Sequence, residues 1–329
     1  MSSAEVILAV RGLTTSFQTP GGTVKAVNDL SFSLKGGETL AIVGESGCGK
    51  SVTSFSLMRL LGRQAAIQGE VWLRTRDGER LNLLSLTEKD MENVRGNQLG
   101  MIFQEPMTSL NPLQQVGDQI AEAMLAHGIC KKAEAHARAL DLLKLVGISA
   151  PEIRARQYPH QMSGGMRQRV MIAIALSCKP QVLIADEPTT ALDVTIQAQI
   201  LRLMRKLQAE VGMGMVFITH DMGVVAQIAD RVAVMYGGQL VEIAETRTLF
   251  KNPRHPYTQG LLASVPKPGQ TGRLVGIPGQ VEVVYGEHIG CRFVNRCAQA
   301  TDVCRTDRPD LIAHPQQQLV RCHFAGSQA

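Results

Sequence analysis

The segment TLAIVGESGCGKSVTSFSLMRLLG, from Thr39 to Gly62, constrains this chain more than any other. An apolar run enters a glycine-rich turn and leaves it with apolar residues at helical spacing, so strand, loop and helix follow in order. Within it, GESGCGKS from Gly44 to Ser51 fits the P-loop pattern in the context that pattern requires. Gly44, Gly47 and Gly49 let the backbone N–H groups of the stretch from Glu45 through Ser46 and Cys48 to Val52 wrap phosphates at a helix amino terminus. Lys50 neutralises phosphate charge, and the Ser51 hydroxyl is a Mg²⁺ ligand. The expected ligand is a nucleoside polyphosphate.

Periodicity extends this unit into a fold. VILAV and LSFSL, separated by TPGG and KGG, predict an antiparallel β-layer at the amino terminus. From Gln114 to about Tyr158 the pattern is helical, interrupted by Gly128, Gly147 and Pro151. QVLIADEP and MGMVFITHD are short apolar strands with an amphipathic helix between them, which implies a parallel α/β sheet covered on both faces. RVAVMYGGQLVEIA reads as a hairpin turning at Gly237 and Gly238. After about Lys251 proline, arginine and cysteine become prominent, which marks a carboxy-terminal extension. MSSAEVILAVRG has no secretory pattern, and VMIAIALSC, the longest apolar run, is half a membrane span. A net charge of +5 spread along the chain, with 4% aromatic residues, is poor material for a nucleic-acid surface.

Two further constellations carry chemistry. VLIADE ends a strand in Asp186, placed to hold Mg²⁺ through water, and Glu187, placed to polarise an attacking water. In QMSGGMRQRVMIAIALSC, Ser163 caps a long helix while Gly164 and Gly165 allow close backbone approach, which makes a second anion site. Two such helix ends must meet one phosphate.

In the order of these motifs the first 250 or so residues resemble the ATP-binding subunits of ABC transporters. MSGGM stands where that family usually has LSGGQ, with Met162 and Met166 as departures. Gln104 in MIFQEP matches the Q-loop, Ala191 to Asp193 the D-loop, and His220 in FITHD the switch histidine. Phe17 takes the place of the aromatic that stacks on adenine. The resemblance implies a RecA-like P-loop core, an antiparallel β-subdomain and a helical subdomain over about 104–160, together spanning 1–250, followed by an extension over 251–329. It implies Mg-ATP bound by Lys50, Ser51, Asp186 and Gln104, with Glu187 as general base and His220 at the γ-phosphate. It also implies that Asp193 and the Ser163 helix face ATP held by a second subunit, in a head-to-tail pair. FQEPMTSLNP and NPRHPYTQGLLASVP resemble the dipeptide and oligopeptide importer branch, with Glu105 for the usual aspartate. That branch implies a second, related ATPase, two membrane permeases, an extracytoplasmic binding protein and a place on the cytoplasmic membrane face. Nickel, glutathione and sugar importers share the extension. A soluble nucleic-acid ATPase fits less well, because this chain has one set of motifs with the cysteines after it. Intact Glu187 and His220 argue against a non-hydrolysing regulatory module.

Cys291, Cys297, Cys304 and Cys322 follow a C-x5-C-x6-C-x17-C spacing, unlike common zinc ribbons or bacterial ferredoxins. Arg292, Arg296, Arg305 and Arg321 stand directly beside them. Cations near thiols favour thiolates, so a four-thiolate metal centre is the expectation. The resemblance to some peptide-importer ATPases implies a [4Fe-4S] cluster; Zn²⁺ on four cysteines, or on three with His323, and four unrelated buried thiols remain alternatives. The centre is expected to staple an extension that offers little apolar core of its own.

Overall fold

The computed structural model describes residues 5–190, 192–265, 276–282 and 284–325. Among the described residues twelve strands form two sheets. Strands β1 (Val6–Thr19) and β2 (Gly22–Lys35) pair antiparallel. They are joined in one four-stranded layer by β4 (Ala65–Arg74) and β5 (Arg80–Asn82), in the order β2-β1-β4-β5. Their alternating burial leaves Leu8, Val10, Leu13, Leu30 and Leu34 facing inward. Strands β4 and β5 are not among those predicted by periodicity. Gly69 explains part of this, because a Cβ there would lie 2.6 Å from the Gly12 carbonyl oxygen where β4 crosses β1.

The second sheet has eight strands: β3 (Thr39–Val43), β6 (Leu99–Ile102), β7 (Val182–Asp186), β8 (Gly214–Thr219), β9 (Arg231–Tyr236), β10 (Gln239–Glu245), β11 (Ile312–His314) and β12 (Gln318–Val320). Their order is β11-β12-β10-β9-β3-β8-β7-β6. From β9 to β6 all pairs are parallel. β3, β7 and β8 are buried along their whole length, as strands covered on both faces must be. Gly237 and Gly238, both at positive φ, turn β9 back into antiparallel β10.

The helices Val116–Ala126 and Lys132–Leu145 fill the predicted helical insert, with Gly128 and Gly147 at positive φ just after them. They pack with the helix Gly164–Leu176 over one face of the large sheet. The helix Lys50–Met58 instead shares a core with the β-layer on the other face, through Leu57 and Met58.

The chain after Lys251 returns to the large sheet, where β12 pairs with β10 through Glu242 with Val320 and Ile243 with Leu319. A third core forms there, with Tyr236, Leu249, Tyr257 and Phe293 buried together. Tyr236, Tyr257 and Phe293 pack mutually in tilted and edge-to-face arrangements, with centroids 4.7–5.4 Å apart. The segment therefore has the apolar core that its composition did not suggest.

Candidate functional site

The parallel strands place chemistry at their carboxyl ends, as open α/β sheets do. β3 delivers the Gly44–Ser51 loop, β7 ends in Asp186, β8 leads to His220 and β6 leads to Gln104. The loop lies too close to its neighbours for side chains at two positions. A Cβ on Gly44 would lie 2.2 Å from the Met235 carbonyl oxygen and 2.7 Å from Cys48 Sγ; one on Gly49 would lie 2.3 Å from the Ala26 carbonyl oxygen. Gly49 also needs φ +103°. Lys50 Nζ donates to the carbonyls of Gly44 (2.8 Å) and Glu45 (3.0 Å), so the loop curls around its ammonium. Cys48 is buried, and that burial pushes its thiol up from its ordinary range. Ser46 and Gly47 face solvent.

Asp186 is held by two hydroxyls from the helix after the loop: Ser51 donates to Oδ1 (3.2 Å) and Ser54 to Oδ2 (2.8 Å). Burial raises the Asp186 carboxyl pKa, while the Ser54 and Ser51 bonds pull it down. Ser51 and Asp186 thus present a hydroxyl and a carboxylate side by side beside the phosphate loop, a donor set of hard oxygens that fits Mg²⁺. Ser54 is missing from the motif reading, although it lies three residues from Ser51 on one helix face and could have been found by that spacing.

Three side chains converge on Glu187. His220 Nδ1 lies 3.2 Å from Oε1; Thr190 Oγ1 and Gln104 Nε2 donate to Oε2 at 2.9 and 3.4 Å. The Glu187 backbone adopts φ +47°, an unusual conformation for a residue with a side chain, and its N–H donates to the Ile218 carbonyl (2.9 Å). Such strain clusters at functional sites. Gln168, also unforeseen, is buried and donates from Nε2 to the Pro188 carbonyl, tying the Ser163 helix to the acidic loop.

Ser163 caps its helix by accepting from the Met166 N–H (3.3 Å). Ser163 and Gly164 are exposed, whereas Met162, one of the departures from the family spelling, is buried as core. Phe17 is half-buried on β1, paired with Val24 and Ala65. Asp193 caps the helix Val194–Val211 by accepting from the Ile196 N–H (2.9 Å), and Ala191 beside it lies outside the described residues.

The expected iron–sulfur or zinc centre does not hold. Cys291, Cys297, Cys304 and Cys322 are free and line one small cavity, but among the described residues no group of three or more His, Cys, Asp or Glu side chains is placed to hold a metal ion. The cavity measures about 10 Å³, at most the room for one water and too little for a cubane. Burial pushes the Cys291 thiol up to about 11 and raises Cys297 and Cys322 as well, favouring neutral thiols. Three of the four neighbouring arginines are bonded elsewhere: Arg292 donates to the Gly237 carbonyl, Arg321 to the carbonyls of Leu240 and Pro309, and Arg296 pairs with Glu45.

A P-loop after an interior strand of a parallel sheet, with an Asp–Glu pair at the end of the next strand but one, defines a P-loop nucleoside triphosphatase. Residues 27–190 match the family model described as "ABC transporter", and residues 241–304 match "Oligopeptide/dipeptide transporter, C-terminal region". The dipeptide transport ATP-binding protein DppD of Bacillus subtilis (strain 168) is 49% identical over 328 residues, covering 99% of this chain and 96% of that protein. The oligopeptide transport ATP-binding protein AppD of the same organism is 50% identical over 319 residues, covering 96% of each chain. Among solved structures, a post-hydrolysis dimer of the ATP-binding cassette MJ0796 bound to ADP and Pi aligns with TM-score 0.63 and 28% identity, over 73% of this chain and 99% of that one. The chain therefore belongs to the ABC transporter ATP-binding family, in its oligopeptide and dipeptide branch. ATP with Mg²⁺ is the ligand of this family's fold.

Proposed function

We propose that this chain is the ATP-hydrolysing subunit of a peptide importer, and that Glu187 is its general base. The convergence of His220, Thr190 and Gln104 on that carboxylate, beside Asp186 and Ser51, carries the proposal. Lys50 and the N–H groups of the loop from Gly44 to Val52 bind the phosphates, and Phe17 packs on the adenine. Ser51, Asp186 and Gln104 hold Mg²⁺, which when bound neutralises charge on the transferring phosphoryl group. Glu187 accepts a proton from the attacking water, while His220 fixes the carboxylate's direction and contacts the γ-phosphate.

The helices that begin at Lys50 and Gly164 pack into different cores, on opposite faces of the large sheet. Exposed Ser163 and Gly164 and half-buried Gly165 are accordingly assigned to the ATP of a neighbouring subunit, with Asp193 at the same junction. That neighbour is a related ATPase, so the working unit is a heterodimer beneath two membrane permeases, fed by an extracytoplasmic binding protein. No helix among the described residues is long and apolar enough to cross a membrane. The likeness to peptide-importer ATPases supports a peripheral place for the chain on the cytoplasmic face, against its permeases. The nucleotide-binding part is assigned to 1–250, with its helical part over about 104–160, and the importer-type extension to 251–329.

The test is the Glu187→Gln variant in the assembled complex reconstituted into vesicles. Loss of ATP turnover and of labelled dipeptide uptake by at least about 100-fold, with ATP binding retained, is expected. Undiminished turnover overturns the general-base assignment. Hydrolysis coupled to a non-peptide solute, with no peptide uptake, overturns the substrate.

A further inference from the structure

Glu45 is an odd residue to find in a phosphate loop, because its carboxylate adds negative charge where a triphosphate must bind. The structure shows how that charge is met. Arg296, 251 residues away, grips it with two parallel bonds: Nη1 to Oε2 at 2.6 Å and Nη2 to Oε1 at 3.0 Å. The Arg296 side chain is only 6% exposed. Its guanidinium is aimed by further bonds, from Nε to the Pro278 carbonyl (2.7 Å) and from Nη2 to the Ile277 carbonyl (3.2 Å), and it lies 5.7 Å from the Tyr236 ring centre. The backbone of Glu45 is held as well. Its N–H donates to the hydroxyl of Tyr257 (2.9 Å), a fully buried residue of the same aromatic cluster, while its carbonyl accepts from Lys50.

We propose that Arg296 and Tyr257 are positioning residues for nucleotide binding, through which the carboxy-terminal segment sets the charge and shape of the phosphate loop. The proposal rests on the assignment of Gly44–Ser51 as the phosphate site. Arg296 cancels the Glu45 carboxylate; without it, an unpaired anion faces the triphosphate and weakens binding. Tyr257 fixes the Glu45 peptide so that its neighbours keep their N–H groups turned toward the phosphates. The fixed bidentate geometry is one that arginine provides and lysine matches only in charge.

The experiment measures binding of radiolabelled ATP with Mg²⁺ to the full-length protein by equilibrium dialysis, alongside KM and kcat of the assembled complex. Arg296→Gln is expected to raise Kd and KM for ATP about tenfold, with kcat changed by less than about threefold. Arg296→Lys should recover part of that loss. In a Glu45→Gln background the same Arg296→Gln change should move Kd by less than about threefold, because the charge it neutralises is gone. An equal tenfold effect in both backgrounds, or an unmoved Kd in the single variant, overturns the proposal. Tyr257→Phe covers the case in which Arg296→Gln does not fold: it removes only the acceptor, and an ATP Kd equal to that of the parent protein would equally overturn the proposal. Lys50→Ala separates the two levels of inference. If that variant binds ATP normally, the phosphate-site assignment itself falls; if it loses binding while Arg296→Gln does not, only the positioning role falls.

Discussion

Gln318 donates from Nε2 to Glu242 Oε1 at 3.0 Å, joining the last strand of the chain to the middle of the large sheet. Glu242 is wholly buried and also accepts from the backbone N–H groups of Arg254 and His255, both at 2.9 Å. Gln318 in turn accepts from Arg254 Nε and donates to the Asn252 carbonyl. The carboxy-terminal segment is therefore fastened by a satisfied polar network as well as by the Tyr257 and Phe293 core, and both do the work that a metal staple was expected to do.

Removing the acceptor at the centre of this network should be costly. Glu242→Ala leaves two buried backbone donors and the Gln318 amide without their partner, a loss of about 3 kcal/mol or more. Equilibrium urea unfolding of the full chain measures it. A change under about 1 kcal/mol would mean that the network contributes little.

The motifs and the alternation of strand and helix were readable from sequence because they are local: period, turn residues and spacing all act within some twenty residues. What was not readable is set by distant partners. Nothing in the residues around Gln318 indicates that it will meet Glu242, and nothing beside Cys297 indicates that Arg296 will turn toward the phosphate loop. The arginines next to the cysteines were read as counter-charges from adjacency alone, yet neighbours in a chain with irregular backbone need not share a direction. Ser54 is the opposite case: helical spacing from Ser51 suffices to place it on the same face, yet the motifs alone leave it out.

His255 supplies a pH dependence of known sign. It is fully buried, and desolvation pushes its pKa from 6.5 down to about 3. Below pH 6.5 the unfolded chain binds a proton there that the folded chain refuses, so stability from this group is complete above 6.5 and falls as pH drops toward 3. The slope is about 1.4 kcal/mol per pH unit. Burial raises the pKa of Glu242, which acts in the opposite sense, so the comparison is with His255→Asn. The stability difference between the parent protein and this variant should stay constant from pH 7.5 to about pH 6.5 and then shrink steadily down to pH 5 in thermal melts. A pH-independent difference would show that His255 does not remain neutral.

Two glycines of the phosphate loop should respond differently to alanine. Gly47 sits at φ +80° with nothing within 4 Å of a Cβ, so Gly47→Ala meets backbone strain alone, about 1 kcal/mol. Gly49 combines φ +103° with a Cβ placed 2.3 Å from the Ala26 carbonyl oxygen, which β2 holds rigidly. Gly49→Ala should therefore lower the melting temperature by at least twice as much as Gly47→Ala. Equal shifts would mean that the loop can move away from β2 freely.

Ser54→Ala tests the grip on Asp186. The Ser54 hydroxyl donates to Oδ2 at 2.8 Å, and this bond favours the ionised carboxylate against the burial that opposes it. Without it the Asp186 pKa rises further, and the carboxylate that pairs with Ser51 is both less ionised and less well aimed. The acidic limb of the ATPase pH profile should move to higher pH, and the Mg²⁺ concentration for half-maximal activity should rise about tenfold or more, a typical loss for a residue that orients a metal ligand from behind. Both shifts arise from one bond, so they should appear together and be restored together by Ser54→Thr, which keeps the hydroxyl. A raised Mg²⁺ requirement with an unmoved acidic limb would show that Ser54 orients Asp186 without setting its ionisation.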